Sequence, residues 1–129
     1  MSFSDASAFQ PSVGGYTDWR LPTIKELYTL SDFSDETGTS AEDSIPFLNE
    51  IFEITYGTNR FIDRHLWSST RYVSKVFDSI SCNFGFDPID GRIKCYPGNL
   101  FALYVRGESS QVGVNIFETK SSEIVVDHA

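Results

Sequence analysis

Four groups of residues have types and spacings that could do chemistry. Asp18-Trp19-Arg20 lies between a Gly14-Gly15 turn and a helix start. An arginine beside a tryptophan could stack on a sugar or pair with an anionic group. The competing role is structural, with Trp19 plugging the core and Arg20 tying down loop carbonyls or a carboxylate such as Asp18 or Asp90. The neighbouring capping box favours the structural role. Trp67-Ser68-Ser69-Thr70 offers hydroxyls, but a serine nucleophile needs an adjacent base and a third group to orient it. Only His65 and His128 are available, and no strand–turn–helix elbow surrounds Ser68 or Ser69. These hydroxyls are expected to bond turn backbone, with Trp67 in the core.

Cys82 and Cys95 fall on the apolar faces of two adjacent predicted strands. They read as a disulfide or as two buried thiols, and without C-x-x-C spacing they make a poor zinc pair. The fourth group surrounds a predicted hairpin: Asp87, Asp90, Arg92, Lys94, Tyr96 and Asn99. Tyr96 could stack a sugar ring, and Asn99 could bond its hydroxyls. Arg92 and Lys94 alternate on the polar face and could meet sulfate or carboxylate. The plainer reading is a solvated hairpin face. The acidic stretch 31–44 lacks the D-x-[DN]-x-[DN]-G order and distal Glu of a calcium hand, so no metal site is expected there.

The elements that must position these groups follow from local signals. Residues 1–13 are small and polar without a period and read as a loose arm. Pro22 pushes Leu21 toward extended geometry. Thr23-Ile24-Lys25-Glu26 is a capping box, and Ile24, Leu27 and Tyr28 share one face of a short helix. A second short helix is expected over 45–53, with Phe47, Leu48, Ile51 and Phe52 on one face. Strands dominate from 66 onward. Ile80, Cys82 and Phe84 alternate with polar residues in 79–84, as do Ile93 and Cys95 in 92–96, and Asp87-Pro88-Ile89-Asp90-Gly91 is strong turn chemistry between them. Phe101, Leu103 and Val105 suggest a further strand, apolar enough to be central. Two helices followed by a small antiparallel sheet make an α+β plan.

The chain has 129 residues, 11 Phe, 6 Tyr and a net charge of −8. That suits one aromatic-rich domain and argues against nucleic acid, whose binding needs a basic footprint. Counting Asp, Glu, Lys and Arg, residues 1–59 carry −8, residues 60–106 carry +3 and residues 107–129 carry −3. A local basic surface is therefore available on an acidic protein. No apolar run approaches the roughly 20 residues of a membrane helix, so no membrane insertion is expected. The opening MSFSDASAFQPSVGG has neither a basic n-region nor an apolar h-region. Either the protein is cytoplasmic or the chain is a piece of a longer exported one.

In order along the chain stand GGYTDWRLPTIKEL, LWSSTRY, DGRI and YVRG. The set resembles the bacterial family named after the C-terminal domain of the Lcl collagen-like adhesin, over roughly residues 14–107. Tyr16, Asp18, Trp19, Arg20, Thr23, Glu26, Trp67, Ser68 and Arg106 match its blocks. The resemblance implies a C-type-lectin-like α+β fold, two short helices on a twisted antiparallel sheet, in an exported or surface protein. It implies a binding or adhesion role toward a glycan or cell-surface partner, with ligands meeting loops beside the late strands, and no cofactor. A structural spacer without a small ligand is the alternative. An enzyme related to the formylglycine-generating fold comes last, because the cysteine spacing does not reproduce that pattern. Two departures stand out. SDASAFQPSV offers little of the helix that precedes Gly-Tyr in the family, and the hairpin loop GFDPIDG is longer than usual. The tail 108–129 resembles a degraded opening of a following repeat, so the chain is expected to begin within one repeat and end at the next. The acidity opposes a polyanionic ligand at long range, so binding to a sulfated glycan would rely on residues 60–106 and weaken with salt.

Overall fold

The computed structural model describes residues 1–34, 38–40, 42–52, 64–73, 82–96, 98–108, 112, 117–121 and 125–127. Within them the α+β plan holds. Helices α1 (Phe3–Ala8) and α2 (Ile24–Tyr28) come first, then a 3-10 turn (Glu50–Phe52) and strands β1 (Leu66–Arg71), β2 (Asn83–Phe86) and β3 (Ile93–Tyr96). A separate two-stranded ladder pairs β4 (Phe117–Thr119) with β5 (Val125–Asp127). No helix among the described residues is long and apolar enough to cross a membrane.

The first segment departs from the expected loose arm. Ser2 caps α1: its Oγ accepts the Asp5 N–H at 3.1 Å. Asp5 in the first turn also suits the helix dipole. Six residues do not hold a helix alone. Contacts from far along the chain complete it. Ala6 is fully buried in a cluster with Leu21, Trp67 and Leu100. Phe3 meets the Trp67 ring edge-on at 5.5 Å. The Met1 carbonyl accepts both the Leu100 N–H and the Trp67 indole N–H at 3.0 Å. The Tyr104 hydroxyl donates to the Ala6 carbonyl at 2.8 Å.

The capping box of α2 forms as expected. Glu26 N–H donates to Thr23 Oγ1 at 3.2 Å, and Thr23 N–H donates to a Glu26 carboxylate oxygen at 2.7 Å. Leu27 is fully buried, and α2 packs on β1 and β2. The next unpaired helix donor, Ile24 N–H, is met by the Thr70 hydroxyl at 2.9 Å. Ser69 continues the seam, its N–H donating to the Pro22 carbonyl at 2.8 Å and its hydroxyl at 3.2 Å. The Trp-Ser-Ser-Thr strand is thus the rail to which the helix entrance is fastened. Trp67, at 2% exposure, is the core plug.

The main sheet has order β1-β2-β3, antiparallel throughout, so β2 is central. Phe84 faces Cys95 and Phe86 faces Ile93 in register. The expected alternation at 79–81 lies outside the described residues. The turn at 87–91 forms: Gly91 N–H donates to the Asp87 carbonyl at 3.0 Å, and Gly91 takes φ +71°.

Two expected elements do not form as read. Residues 101–105 make no strand. They touch the sheet through a parallel bridge of Leu66 with Phe101 and through reciprocal 2.9 Å bonds between Arg20 and Val105. Ala102 and Tyr104 pack on the Trp67 cluster, whereas Phe101 is 48% exposed. The helix expected over 45–53 shrinks to Glu50–Phe52, with Leu48 buried but Ile51 79% exposed. The backbone explains this. The Phe47 carbonyl accepts Asp32 N–H at 2.7 Å and the Leu48 N–H donates to the Pro88 carbonyl at 3.0 Å, so both serve other segments instead of a helical ladder.

Candidate functional site

Of the hairpin residues expected to meet a ligand, Asp87, Asp90 and Arg92 are brought together with one another. Asp87 is fully buried rather than on the surface. One of its oxygens accepts the Ile89 N–H at 2.9 Å, and the other lies 3.4 Å from His65 Nδ1 and 4.0 Å from an Arg92 nitrogen. Burial pushes its carboxyl up to about 6, with nearby Asp90 adding to the rise while the Ile89 N–H and Arg92 oppose it. Arg92 is held 2.6 Å from Asp90. These charges compensate each other within the turn. Lys94 and Asn99 are exposed, and the backbone of Tyr96 pairs with Asn83 at the end of β3. Cys82 and Cys95 are joined in a disulfide, with Cα atoms 5.8 Å apart. Of the two readings left open for them, the bonded one is what the structure holds.

The Asp18-Trp19-Arg20 block divides its roles. Arg20 grips Glu26 through two parallel bonds of 2.8 and 2.7 Å, and donates to the Gly107 carbonyl at 2.7 Å and the Leu21 carbonyl at 3.3 Å. The loop carbonyls were anticipated. The carboxylate is Glu26 of the capping box, not Asp18 or Asp90. Arg20 holds the Glu26 carboxyl down to about 2, aided by the Thr23 N–H and partly offset by burial. Asp18 pairs instead with Arg106 at 2.7 Å, which lowers its carboxyl. The Arg106 guanidinium lies 3.3 Å from the Tyr16 ring centre and 5.9 Å from that of Trp19. The serine hydroxyls donate to carbonyls, Ser68 to Phe84 at 2.7 Å and Ser69 to Pro22.

Trp19 is not the core plug. It is half-buried, and its covered indole N–H has no hydrogen-bond partner among the described residues. It forms one wall of a cleft of about 220 Å³. Phe9 and Tyr104 supply further aromatic surface, with ring centres 5.6 Å apart. Ser7, Gln10 and Ser69 supply small polar groups, and Arg20 and Leu21 complete the lining. Trp19 and Arg20 were singled out from the sequence. The other wall was missed because it hangs on α1. The available signal was Ser2 followed three residues later by Asp5, a cap with a short acidic partner.

A family model, the Lcl C-terminal domain, matches residues 2–106, and the chain belongs to that family. The match takes in α1 as well as the later blocks. No curated protein and no solved structure matches the chain.

Proposed function

We propose that this Lcl C-terminal domain is a non-catalytic binding module that recognises carbohydrate, carried by an exported bacterial protein on a C-type-lectin-like scaffold. The cleft beside Trp19 carries this reading. A sugar ring has an apolar face of C–H groups and a rim of hydroxyls. The first suits the indole and the Phe9 and Tyr104 rings, and the second suits Ser7, Gln10 and Ser69. Pockets for drug-sized molecules start near about 300 Å³, so a cleft of this size suits a single ring. The cleft replaces the hairpin as the candidate site, because Asp87 is buried and Arg92 is engaged with Asp90. The Cys82–Cys95 bond is in keeping with an oxidising compartment.

The test is a glycan array followed by titration calorimetry. Saturable binding that Trp19→Ala abolishes, with the thermal unfolding still cooperative, supports the reading. No saturable binding across neutral and charged glycans leaves a structural spacer as the better description.

A further inference from the structure

We infer that the cleft selects an uncharged sugar ring and discriminates against sulfated or carboxylated ones. This rests on the carbohydrate-binding reading and specifies its ligand class. Among the described residues that line the cleft, Arg20 is the cation. Its charge is already matched. Two of its N–H groups meet the Glu26 carboxylate, one meets the Gly107 carbonyl and one the Leu21 carbonyl. Glu26 is held ionised across the working pH range, since its carboxyl titrates at about 2. An anionic ligand would therefore approach an ion pair, not a free cation. It would give up hydration without gaining an unmatched positive partner.

The rest of the lining is neutral. Ser69 and Tyr104 direct their hydroxyl protons at the Pro22 and Ala6 carbonyls, which leaves their oxygens as acceptors for sugar hydroxyls. Gln10 is exposed and offers both an amide donor and an acceptor. The net charge of −8 adds a long-range bias in the same direction. Binding that does not use charge is also insensitive to screening by salt.

The experiment uses the whole chain and an array of neutral oligosaccharides printed beside O-sulfated forms of the same sequences. Calorimetric titration of the strongest pair follows, at low and high salt. The neutral member is expected to bind about tenfold or more tightly than its sulfated form, with affinity unchanged by salt. Glu26→Gln removes the charge that matches Arg20, while its amide oxygen can still reach the Thr23 N–H. It should raise affinity for the sulfated form in a salt-dependent way. Gln10→Lys adds a cation to the lining without touching the clamp and should do the same, which keeps the test open if Glu26→Gln folds poorly. Tighter binding of the sulfated form by the unaltered chain overturns the inference and leaves carbohydrate binding standing. So does a neutral-to-sulfated ratio that neither variant moves. Absence of binding to either member overturns both.

Discussion

Replacing Glu26 with Gln tests the clamp that joins the helix entrance to the loop after residue 105. The Glu26 carboxyl is lowered from 4.5 to about 2, first by Arg20. A shift of that size sets a ceiling of about 3 kcal/mol on the ionised form's contribution. The two side chains are 12% and 28% exposed, so solvent screening trims the figure to about 2 kcal/mol. The capping bond to Thr23 N–H survives in the variant because the Gln oxygen accepts it, while the amide NH2 replaces the oxygen that accepts from Arg20 Nη2. The loss is therefore that of the Arg20 pairing, its charge and one hydrogen bond together. The sign follows from the lowered value. The contribution is fully present above pH 4.5 and is lost as pH falls through about 2. Urea unfolding of both proteins over that range is the assay. The variant should lie about 2 kcal/mol below the parent at neutral pH, roughly 6–10 °C in Tm, and the two should converge toward pH 2. A gap that is independent of pH, or no gap at neutrality, would refute the reasoning.

Asp87 should behave in the opposite sense. Its carboxyl is raised from 3.8 to about 6, so the folded chain holds that proton more tightly and this group's contribution falls as pH rises between those values. Asp87→Asn should flatten that part of the stability–pH curve, a change of up to about 3 kcal/mol by the same conversion; equal slopes in both proteins would count against it. Gly91→Ala should cost about 2 kcal/mol in urea unfolding, because φ is +71° and a Cβ would stand 2.7 Å from the Phe47 ring; a neutral effect would show that the turn adjusts. Reduction of Cys82–Cys95, separated by 13 residues, should add the mass of two hydrogens and lower stability by about 3 kcal/mol. An unchanged mass on reduction would show that the thiols are unbonded.

Legibility tracked how local each signal was. The Thr23–Glu26 box, the Asp87–Gly91 turn and strand β3 depend on neighbours within a few residues, and all three stand in the structure, although Ile93 of the expected apolar face is 43% exposed. Helix α1 does not work that way. Its six residues have no apolar period, and it is held by Trp67, Leu100 and Tyr104 from the far side of the sequence. Both tryptophans read as core residues from the sequence, and only Trp67 is one, for the same reason. Trp67 meets Phe3, Met1 and Leu100 and is enclosed, whereas Trp19 stays at the cleft wall. Asp87 looked like a surface turn residue because aspartate usually is one. Its Asx bond to Ile89 and its position against His65 place it inside. Apolar composition at 101–105 likewise marked contact with a core at Ala102 and Tyr104 and did not specify a ladder.

The two tryptophans offer a direct reading of the cleft, because each gives one indole N–H signal. The Trp67 indole is committed to the Met1 carbonyl, while that of Trp19 sits in the cleft wall. Two-dimensional nitrogen–proton spectra, assigned with Trp19→Phe, should be recorded while a neutral oligosaccharide chosen from the array is titrated in. Saturable movement of the Trp19 signal, with that of Trp67 stationary, is the expected result. If the Trp19 signal stays fixed while the sugar binds, the ligand lies elsewhere on the domain and the cleft is not the site.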